Sequence, residues 1–199
     1  GTGSVAMGLN SQAGKDATTA ASDAVAIGSN AKATAHTSTA IGTGTSANNN
    51  GDTAIGQYAT TNGYVSAGSN FGQNNTAIGS QSVVTGQASI ALGYQAKAER
   101  QHSLAVNYAQ ALASDSVAMQ RQAVANSVGD IAIGRGTTVD SNNKTIDGDP
   151  TRDTTVSAIG IGSFVTATGN SAVAIGSAST ATAKNTTAIG QKATANGES

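Results

Sequence analysis

The chain has no cysteine and no tryptophan, and only one proline (Pro150), two phenylalanines and four tyrosines in 199 residues. Without cysteine there is no disulfide framework, no thiolate nucleophile and no thiolate metal ligand. So few rings argue against a conventional globule built on a large aromatic core. Charge is also scarce: 10 basic and 11 acidic residues make up 11% of the chain, where ordinary domains carry roughly a quarter. Neither nucleic acid nor an anionic membrane is expected as the main partner, because both select for clustered Lys and Arg. No run of 18 apolar residues and no charged-then-apolar leader is present, so any export signal or membrane anchor is expected outside this stretch.

What the chain does have is a repeated phrase of small residue, large residue and glycine. The large residues are Met7, Ile27, Ile41, Ile55, Ile78, Leu92, Val106, Met119, Ile133, Ile161, Ile175 and Ile189. Most steps between them are 14 residues; Val106 to Met119 is 13, and Ile133 to Ile161 is 28, twice 14. The steps of 20 and 23 read as 14 plus loops, so insertions are expected at about 14–22, 63–72 and 140–156 within a single domain spanning 1–199. A period of this length marks a stacked repeat architecture.

Let Ala be position 1 and the large residue position 2. Position 3 is Gly in ten of the twelve copies, with Asn107 and Gln120 as the exceptions. Positions 13 to 2 alternate in polarity and predict one short strand; positions 6 to 9, with Ala31 and Ala33 or Ala96 and Ala98, predict a second. Glycine at position 3 and often at position 10 (Gly63, Gly86, Gly169, Gly197) predicts a corner after each strand. Two strands and two corners make one coil of an all-β solenoid, with about 12 to 14 coils in the chain.

The two faces of the first strand leave a choice. If the alanines fill the coil, the Ile column faces outward as an apolar stripe larger than a soluble monomer normally shows. It then needs a partner, most simply copies of itself about a symmetry axis. If Ile lies inside and Ala outside, no partner is needed. Close approach of the two walls across small residues favours the first assignment.

The phrase resembles the head repeat of YadA-like trimeric autotransporter adhesins, which reads like Asn-Ser-Val-Ala-Ile-Gly. Similar copies here are Ser4-Val5-Ala6-Met7-Gly8, Ser89-Ile90-Ala91-Leu92-Gly93 and Asn170-Ser171-Ala172-Val173-Ala174-Ile175-Gly176. The resemblance implies a left-handed parallel β-roll assembled as a homotrimer. It also implies display on a Gram-negative cell surface, anchored in the outer membrane through a C-terminal barrel absent from this stretch. The implied partners are host extracellular matrix proteins, such as collagen, or host cell-surface receptors. The chain starts and stops inside repeats and is expected to be a piece of a longer adhesin.

Candidate chemistry is sparse, and no catalytic, cofactor or metal site and no small-molecule substrate is expected. His36 and His102 fall in different coils and read as solvated turn residues. The acidic residues of the first 139 positions are scattered singly. The segment 140–153, with Asp140, Asp147, Asp149 and Asp153, offers oxygen ligands for Ca²⁺, but its spacing is not that of an EF-hand and Lys144 and Arg152 dilute its charge. A solvated loop is the plainer reading. That segment and the 63–72 insertion, with Tyr64 and Phe71, are reasonable contact places, although the two rings can equally pack over the roll. Lys97, Glu99 and Arg100 read as a solvated strand edge. Asn74, Asn143 and Asn185 begin glycosylation sequons that are expected to be incidental. Ligand-binding residues stay unassigned.

Two other readings compete with adhesion. A fibre spacer would use the same fold and bind nothing. An ice-binding solenoid would use threonine ladders such as Thr166/Thr168 and Thr180/Thr182, which fail at Lys32 and at Lys97 and Glu99. An enzyme on a β-helix fits worst, since the hexapeptide acyltransferase type repeats every six residues.

Overall fold

The computed structural model describes residues 2–14, 23–63, 74–141 and 157–197. Among these there is no helix, and every strand pairs in parallel. The chain divides into two compact units, residues 1–98 and 99–199.

In the first unit the leading strands of the coils are Val5–Met7, Val25–Ile27, Thr39–Ile41, Thr53–Ile55, Thr76–Ile78 and Ile90–Leu92. Their companions are Gln12–Ala13, Lys32–Ala33, Ser46–Ala47, Thr60–Thr61, Val83–Val84 and Lys97–Ala98. In the second unit the leading strands are Leu104–Val106, Val117–Met119, Ile131–Ile133, Ile159–Ile161, Val173–Ile175 and Thr187–Ile189. The companions there are Gln110–Ala111, Val124–Ala125, Thr138–Val139, Thr166–Ala167, Thr180–Ala181 and Thr194–Ala195. Each leading strand pairs with the leading strand of the next coil and each companion with the next companion, so the described residues of each unit form a six-coil parallel β-roll with two facing sheets. Ile27 pairs with Ile41 and Ile41 with Ile55; Ile133 pairs directly with Ile161. The 28-residue step is therefore one coil carrying an insertion, not two coils.

The strands are shorter than the alternation predicts: positions 14 to 2 and positions 7 to 8 only. The flanking residues still join the ladder. The Val25 N–H donates to the Ser38 carbonyl at position 13, and the Lys32 N–H to the Thr45 carbonyl at position 6.

The alanines at positions 1, 6 and 8 fill the interior. Ala26, Ala40, Ala54, Ala77 and Ala91 in the first unit are fully buried, as are Ala105, Ala118, Ala132 and Ala174 in the second. Position 13 completes the interior with small or polar side chains, among them Ser38, Asp52, Asn75, Ser116 and Asp130. The assignment with Ala inside and Ile outside thus holds. The cross-section is fixed tightly enough that volume is exchanged between neighbouring coils. Gly160 stands where other coils have Ala at position 1, and a Cβ there would lie 2.7 Å from Val139 Cγ2 and 2.9 Å from Thr137 Cγ2. Val139 and Val165 take up the room that the missing methyl leaves.

Glycine at position 3 is required twice over. Its φ is 106–137° in the ten glycine copies, a region that side-chain-bearing residues rarely enter. A Cβ on Gly28 would also lie 2.5 Å from the Gly42 carbonyl oxygen, and one on Gly79 would lie 2.5 Å from both C and O of Gly93. Where the glycine column breaks, at Asn107 and Gln120 in adjacent coils, φ falls to 59° and 87°, and the two amides face each other at 3.4 Å (Asn107 Nδ2 to Gln120 Oε1).

The second corner is not where the sequence pattern puts it. The left-handed residue is at position 12, held by Asp23, Thr37, Gly51, Asn74, Ala88, His102, Asp115, Gly129, Ser171 and Asn185. Of the expected position-10 glycines, Gly86 and Gly169 do not have positive φ. Gly169 is needed for a different reason: a Cβ there would run into the Ala183 carbonyl of the next coil.

Candidate interaction surface

Because Ala occupies the inner face of the leading strands, alternation forces positions 14 and 2 outward. The result is an apolar stripe on one sheet of each unit. In the first unit it is mainly the position-2 column of Met7, Ile27, Ile41, Ile55, Ile78 and Leu92, flanked by Thr39, Thr53 and Thr76. In the second unit both columns are apolar over most of their length: Leu104, Val117, Ile131, Ile159 and Val173 stand beside Val106, Met119, Ile133, Ile161 and Ile175. Stacking covers part of each side chain, yet Ile78 and Ile161 remain 38% exposed within their columns, and Ile189 is 68% exposed. The outer face of the companion sheet is mostly polar by contrast, with Lys32, Ser46 and Thr60 beside Val83 in one unit and Thr138, Thr166 and Thr180 beside Val124 in the other.

The candidates for chemistry do not converge. His36 is half-buried at a corner and uses its backbone N–H on Asn50 Oδ1 at 3.1 Å. His102 takes a left-handed corner, and its Nδ1 lies 3.2 Å from Asp115 Oδ1, both side chains about half exposed. Such an exposed pair contributes little. No group of three metal-capable side chains exists among the described residues. Lys97 lies in a companion strand, and Arg100 is exposed. Asp140 accepts the Ser127 hydroxyl at 2.7 Å. Asn74 and Asn185 are exposed corner residues with φ of 49° and 58°, so asparagine is used there for its tolerance of left-handed backbone. Tyr64, Phe71, Asn143, Lys144, Asp147, Asp149, Arg152 and Asp153 lie outside the described residues.

Two residues that pattern reading passes over stand out in the interior. Asp52 and Asp130 are fully buried at position 13. Asp52 accepts the Asn75 N–H at 3.0 Å and the Asn49 side-chain amide at 3.1 Å. Asp130 accepts three backbone N–H groups, from Ala158 at 2.9 Å and from Ser127 and Ser141 at 3.1 Å each. Burial pushes both carboxyls above the ordinary carboxylate value of 3.8, although those hydrogen bonds pull the other way. Among the described residues, neither is hydrogen-bonded to another titratable group. The sequence signal was only their place in a column otherwise occupied by Ser, Asn, Thr and Ala.

The stacked Ala-Ile-Gly coils also match a known family. The family model for the YadA head domain repeat matches residues 1–21, 21–45, 33–59, 72–96, 85–106, 167–193 and 181–199, which together span more than half of the chain. The chain belongs to the YadA head repeat family. YadA-like domains are typically surface-exposed autotransporter passengers. A comparison with curated proteins finds no match. The YadA head repeats go unmatched over 60–71 and 107–166, where two insertions, the shortened coil and Gln120 interrupt the register. In the described residues no helix is long and apolar enough to cross a membrane.

Proposed function

We propose that this YadA-type head is an adhesive module in which three copies pack through their Ile-bearing sheets. The polar companion sheets then face host extracellular matrix proteins, such as collagen, or host cell-surface receptors. The observation that carries this reading is the outward apolar stripe. Covering the part of each outward Ile or Val that stacking leaves exposed is worth about a third of the 1.5–3 kcal/mol of full burial, about 0.5–1 kcal/mol each, and such a stripe left in water would promote uncontrolled association. A closed assembly covers all of it with one repeated contact. Binding then comes from modest contacts multiplied over three subunits, which raises avidity without a deep pocket. On this reading the role is binding rather than catalysis, and the chain is displayed at a bacterial surface by segments beyond this one.

The test is the solution mass, by size exclusion with light scattering over a dilution series. The expected mass is about three times the 19.3 kDa chain. Ile133→Asp, which puts a charge on the stripe without touching the interior, should lower it to one chain. Thr166→Asp, on the companion sheet, should leave the mass unchanged. A wild-type monomer, or equal behaviour of the two variants, would overturn the assembly. Surface binding assays on immobilised collagen and on host cells then test adhesion, where trimers that bind neither count against it.

One specific observation favours a second reading. Thr138, Thr166, Thr180 and Thr194 stack in register on the companion sheet of the second unit. Thermal hysteresis in a freezing assay would support ice binding by this column, and its absence removes that reading.

A further inference from the structure

All three insertions leave the roll at the same corner, after position 9 or 10, and the regular register resumes at position 11 or 12. That corner has a specific hydrogen-bonding problem. In five of the coils without an insertion, the N–H at position 13 closes a tight turn on the position-10 carbonyl just before it; Ser89, whose N–H goes to Asn75 Oδ1 of the coil before, departs from this pattern. Ser38 closes the turn on Ala35, Asp52 on Asn49, Ser103 on Arg100, Asp130 on Ser127 and Ala172 on Gly169. The side chain at position 13 follows suit. The hydroxyls of Ser38, Ser103, Ser116 and Thr186 donate to the carbonyls of Ala35, Arg100, Ala113 and Ala183 at 2.6–2.7 Å.

In the coils that carry an insertion, position 10 of the roll is no longer three residues before position 13. A buried N–H without an acceptor is strongly disfavoured. In all three cases the acceptor comes instead from the position-13 side chain of the coil before. The Ala24 N–H donates to Ser4 Oγ at 3.3 Å, the Asn75 N–H to Asp52 Oδ1 at 3.0 Å, and the Ala158 N–H to Asp130 Oδ1 at 2.9 Å. Asp130 also accepts the N–H of Ser141, the last described residue before the 142–156 segment. It therefore holds both edges of that opening. Asp52 likewise bonds Thr61 on one side and Asn75 on the other.

We propose that the position-13 side chain preceding each insertion is an anchoring residue: Ser4, Asp52 and Asp130 supply the acceptor that lets the roll open for a loop and resume in register. A carboxylate suits the two longer insertions because its two oxygens accept several N–H groups at once. An amide is a poorer substitute. Asn75, at the same position, accepts the Ser89 N–H through Oδ1, but its buried Nδ2 finds no acceptor. The charged neighbour to reckon with at Asp130 is Asp140, which is linked to it through Ser127; the residues bonded to Asp52, namely Asn49, Thr61 and Asn75, carry no charge.

The test compares Asp130→Ser in the intact chain with the same change in a chain lacking residues 142–155. That deletion joins position 10 to position 11 and restores a 14-residue coil, in which the Ser141 carbonyl can take the Ala158 N–H. Hydrogen exchange at Ala158 and Ser141 is the readout. In the intact chain exchange should quicken by about tenfold or more, the range expected when a buried N–H loses its partner. In the deleted chain Asp130→Ser should change it little. Equal effects in both chains, or none in either, would overturn the proposal. Should the deleted chain not fold, Ser4→Ala and Ser38→Ala in the intact chain decide. The first should quicken exchange at Ala24, and the second should leave the Asp52 amide unchanged; the reverse pattern refutes the assignment.

Discussion

Replacing Gly79 with Ala separates the two reasons for glycine at position 3. The first reason is φ, +129° at Gly79, which costs a side-chain-bearing residue about 1–3 kcal/mol. The second is stacking. The new methyl carbon would sit 2.5 Å from the carbonyl C and O of Gly93 and 2.9 Å from its Cα. Those atoms belong to the next coil's backbone and cannot rotate aside, so the roll must part locally, at about 1–3 kcal/mol for overpacking. Gly190 provides the comparison. Its φ is +124°, but the nearest atom to an added Cβ is the Ala193 methyl at 4.0 Å. Gly190→Ala should therefore show the φ cost alone, and Gly79→Ala roughly twice as much or more. Urea unfolding at fixed protein concentration measures both, with an unchanged slope confirming that the same surface is exposed. Equal losses for the two variants would mean that close approach between coils has no part in selecting glycine, and the stacking argument would fall.

Other expectations follow from the interior. Gly160→Ala should cost about 1–3 kcal/mol by crowding Val139 of the coil before, and Val139→Ala in the same chain should recover much of it; a double-mutant cycle with no coupling refutes volume exchange between the two coils. Asp52 and Asp130 bind their protons more tightly in the folded chain than in the unfolded one, where the value is near 3.8. Their contribution to stability is thus fully present below that value and is lost as pH rises through the higher folded values. The unfolding free energy of the wild type minus that of a chain carrying Asp52→Asn and Asp130→Asn should fall as pH rises across the window just above 3.8. A difference that climbs instead would show that hydrogen bonding, not burial, governs these carboxyls.

The repeat could be read from sequence because its chemistry is local. Glycine at position 3 and Ala at position 1 each answer a steric demand repeated in every coil, so the demand shows as a column of identical letters. The second corner could not be read in the same way. Thr37, Ala88, His102 and Ser171 all take the left-handed turn at position 12, and a site that accepts so many side chains leaves no letter to find. The glycines at position 10 drew the eye instead, although Gly169 is there to admit the neighbouring carbonyl. Asp52 and Asp130 were hidden for another reason. A lone Asp before Ile or Thr reads as a solvated turn, and only the register shows that it shares a column with buried serines. Whether Ile or Ala lined the coil was open in the alternation alone, since both faces are apolar; the narrow gap between the sheets decides it.

Gly160 shows that a gain in bulk at one wall is met by a loss at the facing wall across a coil boundary, since Val139 and Thr137 belong to the coil before it and Val165 to its own. Each coil is thus cut to fit its neighbour. Recombination between repeats can duplicate or drop a coil without refitting only where the newly joined outlines agree. Drift in sequence should accordingly be correlated between adjacent coils as well as within them.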